Sequence, residues 1–189
     1  SEKDIKKYLQ KAIYPYRIVD GKVLLIPETE LKCNYPLVYQ YLLACKNDLE
    51  KRDKGKREYA AWYEYGRSQA LNTLGYKLLF PYIAEHPRFI LCKRKDLLFY
   101  NGYAICSDNL EDLKFLQKVL CTDLFWKYIC ATSKPYNNGY YALAKNYVKY
   151  FGIPKFTDEQ KEYIVNESDV KKCETYIKQI YINHMKEIL

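Results

Sequence analysis

KLLFPYIAEHPRFILCKRKDLLFYNGYAICSDNLEDLKFLQKVL, residues 77–120, decides the fold class. Short apolar and aromatic runs at 77–83, 88–92 and 97–105, separated by proline, glycine or charge, have the pattern of strands. The period then changes. Leu110, Leu113, Leu116 and Val119 or Leu120 recur at helical spacing behind Asp108 and Glu111, which are placed as a capping box. Strands running into a capped amphipathic helix predict an α+β fold, with a mixed or antiparallel sheet, packed helices and a C-terminal helical tail.

Downstream, Thr122 starts a second helix through Leu124, Phe125, Tyr128 and Ile129, and Lys134-Pro135 ends it because proline cannot continue a helix interior. Asn137-Asn138-Gly139 is a turn signal, while 140–148 fits either a strand or a short helix. Thr157 and Gln160 form another capping box. Beyond 166–169, Val170, Cys173, Ile177, Ile180 and Tyr181 mark one face of a last helix. The expected division is therefore a body over 1–156 and a helical extension over 157–189.

Upstream, Ile5, Tyr8, Leu9 and Ala12 predict a helix over 3–13. Asp20-Gly21-Lys22 between apolar runs at 16–19 and 23–26 predicts a hairpin. Asn34 is placed to cap a helix from Pro36 that carries Val38, Tyr41, Leu42, Cys45 and Leu49 on one face.

Thirty-one basic against 23 acidic residues give a net charge of +8, which suits a polyanionic partner. Seven scattered cysteines form no C-x-x-C pair and no zinc spacing with His86 or His184. They read as small apolar residues in a reducing compartment, so the expected location is cytoplasmic. No apolar run approaches the length of a membrane span, and no membrane partner is expected. A chain that begins on Ser1 is expected to be a piece of a longer protein.

The charge is concentrated. Residues 124–157 contain no acid, yet hold Lys127, Lys134, Lys145, Lys149 and Lys155 among ten aromatic side chains. Ammonium groups for phosphates, flat rings for sugars or bases, and amides for base edges compose a nucleic-acid surface. A tyrosine-rich core with solvated lysines has the same composition. Residues 51–57 are a second basic loop, and Lys93-Arg94-Lys95 a third, fitting a phosphate clamp or a solubilising turn. Candidate phosphate contacts are Arg52, Lys54, Lys56, Arg57, Lys93, Arg94, Lys134 and Lys145. Candidate base or sugar contacts are Trp62, Arg67, Gln69, Tyr136, Asn137 and Asn138, with Trp62 equally suited to filling a core.

Catalytic signals are sparse. There is no glycine-rich phosphate loop, no G-x-G-x-x-G and no H-E-x-x-H, and neither histidine belongs to a triad pattern. Asp20 with Glu30-Leu31-Lys32 resembles the spaced Asp and Glu-x-Lys of magnesium-dependent nucleases, but Asp20 is already claimed by the hairpin turn. No catalytic residue and no metal site is expected here.

Taken in order, several segments resemble the TaqI-like C-terminal specificity domain, the target recognition domain of DNA N6-adenine methyltransferases and fused restriction-modification enzymes. They are YRIVDGKVLLIP (16–27), YPLVYQYLLACKNDLEKR (35–52), WYEYGRSQ (62–69), KLLFPYIAEHPRFIL (77–91), LKFLQKVLCTDLFWKYI (113–129) and NNGYYALAKNYVKYFGIP (137–154). IPKFTDEQKEYIV (153–165) is similar to the segment that closes recognition domains in type I specificity subunits. The chain departs from the pattern at Cys121-Thr122, where an Asn-Ser step is common, and at Asn138-Gly139, where Gly-Gly is. It also lacks an Asn-Pro-Pro-Tyr motif, of which Asn34-Tyr35-Pro36 is only an echo.

The resemblance implies that 1–156 is a DNA target recognition domain with double-stranded DNA as its partner. It implies no cofactor in this chain, with S-adenosylmethionine held by an N-terminal methyltransferase domain of the parent enzyme. A protein-interaction module docking through 169–189 is the alternative, and a magnesium-dependent nuclease a further one.

Overall fold

The computed structural model describes residues 7, 9–67 and 71–188, with side chains through residue 186. Contacts group the chain into Leu9–Thr73 and a second unit containing Leu74–Leu189.

In Leu9–Thr73, β1 (Tyr16–Val19) and β2 (Lys22–Leu25) pair antiparallel from Tyr16↔Leu25 to Val19↔Lys22. Asp20 and Gly21 take φ of 49° and 73°, the left-handed pair that a two-residue hairpin turn requires. Three short helices follow: α1 (Glu28–Asn34), α2 (Pro36–Ala44) and α3 (Lys46–Glu50), the last leading into a 3₁₀ turn at Arg52–Gly55. Ile26, Leu31, Leu42 and Tyr63 form the core, with Val38, Leu49 and Trp62 against it. The buried Tyr63 hydroxyl donates to the Ile26 carbonyl at 2.7 Å, so its polar end is satisfied.

Three expectations fail in this unit. Residues 9–13 are not helical, and 3–6 and 8 lie outside the described residues. Asn34 ends α1 instead of capping α2, whose N-cap is Tyr35. The seven residues of α1 bury only Leu31, so no periodicity announces the helix, although Glu28 and Glu30 suit its positive end. Tyr41 faces outward, and the helix breaks at Cys45.

In the second unit, β3 (Tyr76–Phe80) lies between β5 (Ile90–Cys92) and β6 (Tyr103–Ser107) in a three-stranded antiparallel sheet. A separate ribbon pairs β4 (Ile83–Ala84) with β7 (Tyr141–Ala142). Alternation along β3 sends Leu78 and Phe80 into a core with Leu113 and Leu120 of α4 (Leu110–Leu120) and Phe125 and Ile129 of α5 (Asp123–Thr132). Leu143 and Val148, the latter ending α6 (Lys145–Val148), complete it.

The other side of α4 is buried too. Phe115 and Val119 meet Phe156, Ile164 of α7 (Asp158–Asn166), and Cys173 and Ile177 of α8 (Val170–Ile188). Positions 113 and 120 lie on one face of a 3.6-residue helix and 115 and 119 on another, so α4 joins sheet and C-terminal helices into one packing system. Truncating a fully buried leucine such as Leu113 to alanine costs roughly 2–5 kcal/mol.

The sequence-level start signals hold at Thr122, whose hydroxyl accepts from Phe125 N–H, and at Thr157 with Gln160, where both bonds of the capping box form. At α4 the cap is Asn109, accepting from Glu111 N–H, and not Asp108. Pairing on β6 begins only at Tyr103. At Gly102, φ is 88° and a Cβ would stand 2.9 Å from the Phe80 carbonyl, a position only glycine fills, so 97–102 turns before the strand begins. The ambiguous 140–148 resolves into both β7 and α6. Eight α-helices among the described residues and small antiparallel sheets make the fold α+β.

Candidate nucleic-acid interface

The ribbon β4–β7 positions the most exposed part of the acid-free stretch. Ile83 pairs with Ala142 and Ala84 with Tyr141, Leu143 N–H donates to the Tyr82 carbonyl at 2.7 Å, and Ala142 N–H to the Lys134 carbonyl at 2.9 Å. Tyr136 N–H donates to the Tyr140 carbonyl at 2.7 Å, closing the loop between them. Its tip bends back through Asn138 at φ 60° and Gly139 at φ 76°, conformations that asparagine tolerates and glycine favours. Lys134 through Gly139 are all exposed.

This loop brings together Lys134, Tyr136, Asn137 and Asn138. The Lys134 ammonium lies 5.4 Å from the centre of the Tyr136 ring, a cation–π distance. Interaction with the neighbouring Tyr136 hydroxyl pushes the Tyr82 hydroxyl above its ordinary pKa. Lys145 is exposed at the start of α6, two residues past Leu143.

Beneath the ribbon, a cleft of about 500 Å³ opens over the outer face of the sheet. Leu79, Ile90 and Phe99 belong to its apolar lining, and Tyr82, Tyr103 and Tyr140 add rings. His86, Arg88 and Asn101 supply polar groups. Arg88 Nη2 stands 3.3 Å from His86 Nε2, and Asn101 Oδ1 accepts from Gly102 N–H at 2.9 Å. Sequence patterns did not single out Tyr82, Arg88 or Asn101, which share no motif and converge only through the β3–β4, β4–β5 and β5–β6 connections. Pro81-Tyr82 after an apolar strand is the one local signal, because proline there stops the pairing of β3 and turns the next ring away from it.

The third basic run is partly spoken for. Arg94 forks onto Asp96 at 3.2 and 2.7 Å, which raises the guanidinium pKa and holds the Asp96 carboxyl below its usual range. Lys95 lies 4.7 Å over the Tyr76 ring, and its carbonyl accepts from the fully buried Lys77 at 2.8 Å. Lys93 is exposed.

In Leu9–Thr73 the candidates divide differently. Arg52 donates to the carbonyls of Leu49, Trp62 and Glu64 at 2.6, 2.9 and 2.7 Å, tying the end of α3 to the segment 62–64. Arg57 donates to the Gly66 carbonyl, and both guanidiniums flank the Tyr59 ring, at 4.7 Å for Arg52 and 5.1 Å for Arg57. Trp62 packs on the core and donates Nε1–H to Glu28 at 3.0 Å. Lys54, Lys56 and Arg67 are exposed, and Gln69 lies outside the described residues. Asp20 sits in the left-handed hairpin turn, and Glu30 is paired with Arg17 at 3.0 Å.

Among the described residues, no helix is long and apolar enough to cross a membrane, and no cluster of three or more His, Cys, Asp or Glu could hold a metal ion.

No known family model matches the chain. Over 68 residues it is 39% identical to the type II restriction enzyme and methyltransferase RM.Eco57I of Escherichia coli, a match taking in 32% of this chain and 6% of that enzyme. The chain is thus similar, over part of its length, to a restriction-modification enzyme many times longer than the matched segment.

Proposed function

We propose that this chain recognises duplex DNA in a sequence-dependent manner, as the target recognition domain of an N6-adenine methyltransferase or fused restriction-modification enzyme. The observation that carries the reading is the loop at 134–139, where a lysine, a ring and two amides stand exposed together within a stretch, 124–157, whose sequence holds no acidic residue. The similarity to a restriction-modification enzyme and the resemblance to TaqI-like specificity domains support it. Lys134, Lys145 and Lys93 neutralise phosphates and set position along the duplex, whereas Asn137 and Asn138 carry the hydrogen-bonding groups that tell one base edge from another. Methyl transfer and S-adenosylmethionine binding belong, on this reading, to a methyltransferase domain of the parent enzyme, and no catalytic residue is assigned here.

Fluorescence anisotropy with a labelled duplex, read across a salt series, tests this. Affinity falls linearly on a log–log plot, and Lys134→Ala and Lys145→Ala each lower the slope by about one unit. A flat salt response in the wild-type chain would refute the proposal.

The rival reading, docking through the final helix, has less room. Cys173 and Ile177 of α8 are already buried against α4 and α7.

A further inference from the structure

The cleft under the β4–β7 ribbon has a composition the phosphate-and-edge reading does not use. Its volume, about 500 Å³, lies within the roughly 300–1,000 Å³ typical of small-ligand sites. Tyr82 is 47% exposed, and with Tyr103 and Tyr140 it gives flat surfaces above an apolar floor of Leu79 and Ile90. Rings over such a floor suit a planar heterocycle, which stacks without regard to sequence and is worth roughly 1–3 kcal/mol per base.

The polar groups favour the same occupant. Asn101 has its orientation set, because Oδ1 is engaged by Gly102 N–H, so Nδ2 remains as the donor. The Gly102 position is itself fixed by its approach to the Phe80 carbonyl, so the donor stands on a braced turn. Arg88 adds donors, and the one carboxylate in the lining, Glu85, is 3.7 Å from His86. Outside the cleft, the Tyr82 carbonyl accepts from Leu143 N–H at 2.7 Å, which ties Tyr82 to the strand that follows the 134–139 loop, where the Tyr136 ring carries the Lys134 ammonium. A base in the cleft would therefore stay connected to a backbone held by the 134–139 loop.

We infer that this cleft accepts one unpaired nucleobase of a locally opened duplex, stacked against Tyr82 and hydrogen-bonded by Asn101. The inference rests on the DNA-recognition reading and adds to it a second kind of contact, with a base outside the stack. Opening a base pair costs a few kcal/mol, so DNA in which one base is already unpaired binds with that cost removed.

The test compares two duplexes of one sequence, one fully paired and one with a single bulged 2-aminopurine, each titrated with the whole chain at two salt concentrations. The bulged duplex binds at least tenfold tighter, and 2-aminopurine emission changes as the probe leaves the helix and meets the tyrosines. Tyr82→Ala removes that preference but keeps the affinity and salt slope for paired DNA. Asn101→Asp retains the acceptor for Gly102 and loses the donor, and because it also adds a negative charge, its effect is read as the ratio of the two duplexes' affinities, which falls to one. Tyr82→Phe, which keeps the ring, preserves the preference, a rescue that a purely structural role for Tyr82 would not give. Adenosine monophosphate in competition identifies the source of the base. Displacement of the probe only by DNA supports the inference, whereas tight binding of the free nucleotide without preference for the bulge overturns it. Equal affinity for both duplexes overturns the cleft assignment while leaving salt-dependent recognition standing. Failure to bind either duplex removes the reading beneath both.

Discussion

The loops at 51–57 and 134–139 are both short and both supply candidate DNA contacts, the first with five cations and the second with Lys134 alone, yet the fold uses them in opposite ways. In the first, Arg52 is turned onto three backbone carbonyls and Arg57 onto a fourth, with Tyr59 between them. In the second, the backbone closes on itself through Tyr136 and Tyr140, and Lys134, Asn137 and Asn138 are left facing outward. The difference follows from what each loop must satisfy. The end of α3 and the irregular segment 62–64 have carbonyls without ladder partners, and a guanidinium with five donors in a rigid fork can take several at once. A ribbon supplies its own partners, so its side chains are released for other work.

Arg52→Ala is the largest expected perturbation. Bonds from a charged donor are each worth about 1.5–3 kcal/mol, and with part of that recovered by water, unfolding stability should drop by about 3 kcal/mol in a denaturant titration. The salt slope for DNA should not change in the variant that remains folded. A lowered slope with unchanged stability would place Arg52 on a phosphate and erase the contrast between the loops. Lys134→Ala, by comparison, should leave the denaturation midpoint where it was.

Next in size is Asn137→Ala, which removes amide groups but no backbone contact of the loop. If it reads a base edge, affinity for the preferred sequence should weaken by about 1–3 kcal/mol, with selectivity relaxed at one position and little change for other sequences. A competition assay against a randomised duplex pool separates this from general weakening, and equal loss across the pool would mean that Asn137 touches only the backbone of DNA. Asn138 is a poorer site for the same experiment, because its φ of 60° makes alanine strained there whether or not the amide meets DNA.

These contrasts explain which parts were legible in the sequence. The hairpin at Asp20-Gly21, the helix starts at Thr122 and Thr157 and the strands within 77–83 and 88–92 were readable because turn chemistry, capping and periodicity are local, whereas the run from 97 pairs only from Tyr103. The α1 helix was not, since its stability comes from Leu31 entering a core assembled by distant residues. For the candidate surface, composition alone picked out Lys134, Tyr136, Asn137 and Asn138, and the fold brought them together. Composition could not separate Arg52 from Lys54, because the carbonyls that take up Arg52 lie 10 and 12 residues further on. Nor could it find Tyr82 and Asn101, which share a cleft only after β3, β5 and β6 have paired.

The smallest effect concerns Arg94, which lies between the two cases, exposed like Lys134 yet partnered like Arg52. Its partner Asp96 has a carboxyl held below the usual carboxylate range, first by the Arg94 hydrogen bond and then by its charge. A depressed carboxylate contributes its stability above its unfolded pKa and loses it as pH falls through the lower, folded value. The pair should therefore act fully at neutral pH and release Arg94 only in acid below the ordinary range for aspartate. Because both groups face solvent, the effect on folding should be near the limit of measurement, and carboxyl chemical shifts titrated by NMR are the better probe. Asp96→Asn frees Arg94 at neutral pH. If a spare cation is all that DNA binding lacks at this turn, the variant's salt slope rises by up to one unit, whereas an unchanged slope assigns the turn to solubility and leaves the ribbon loop as the stronger candidate for meeting phosphates in its unit.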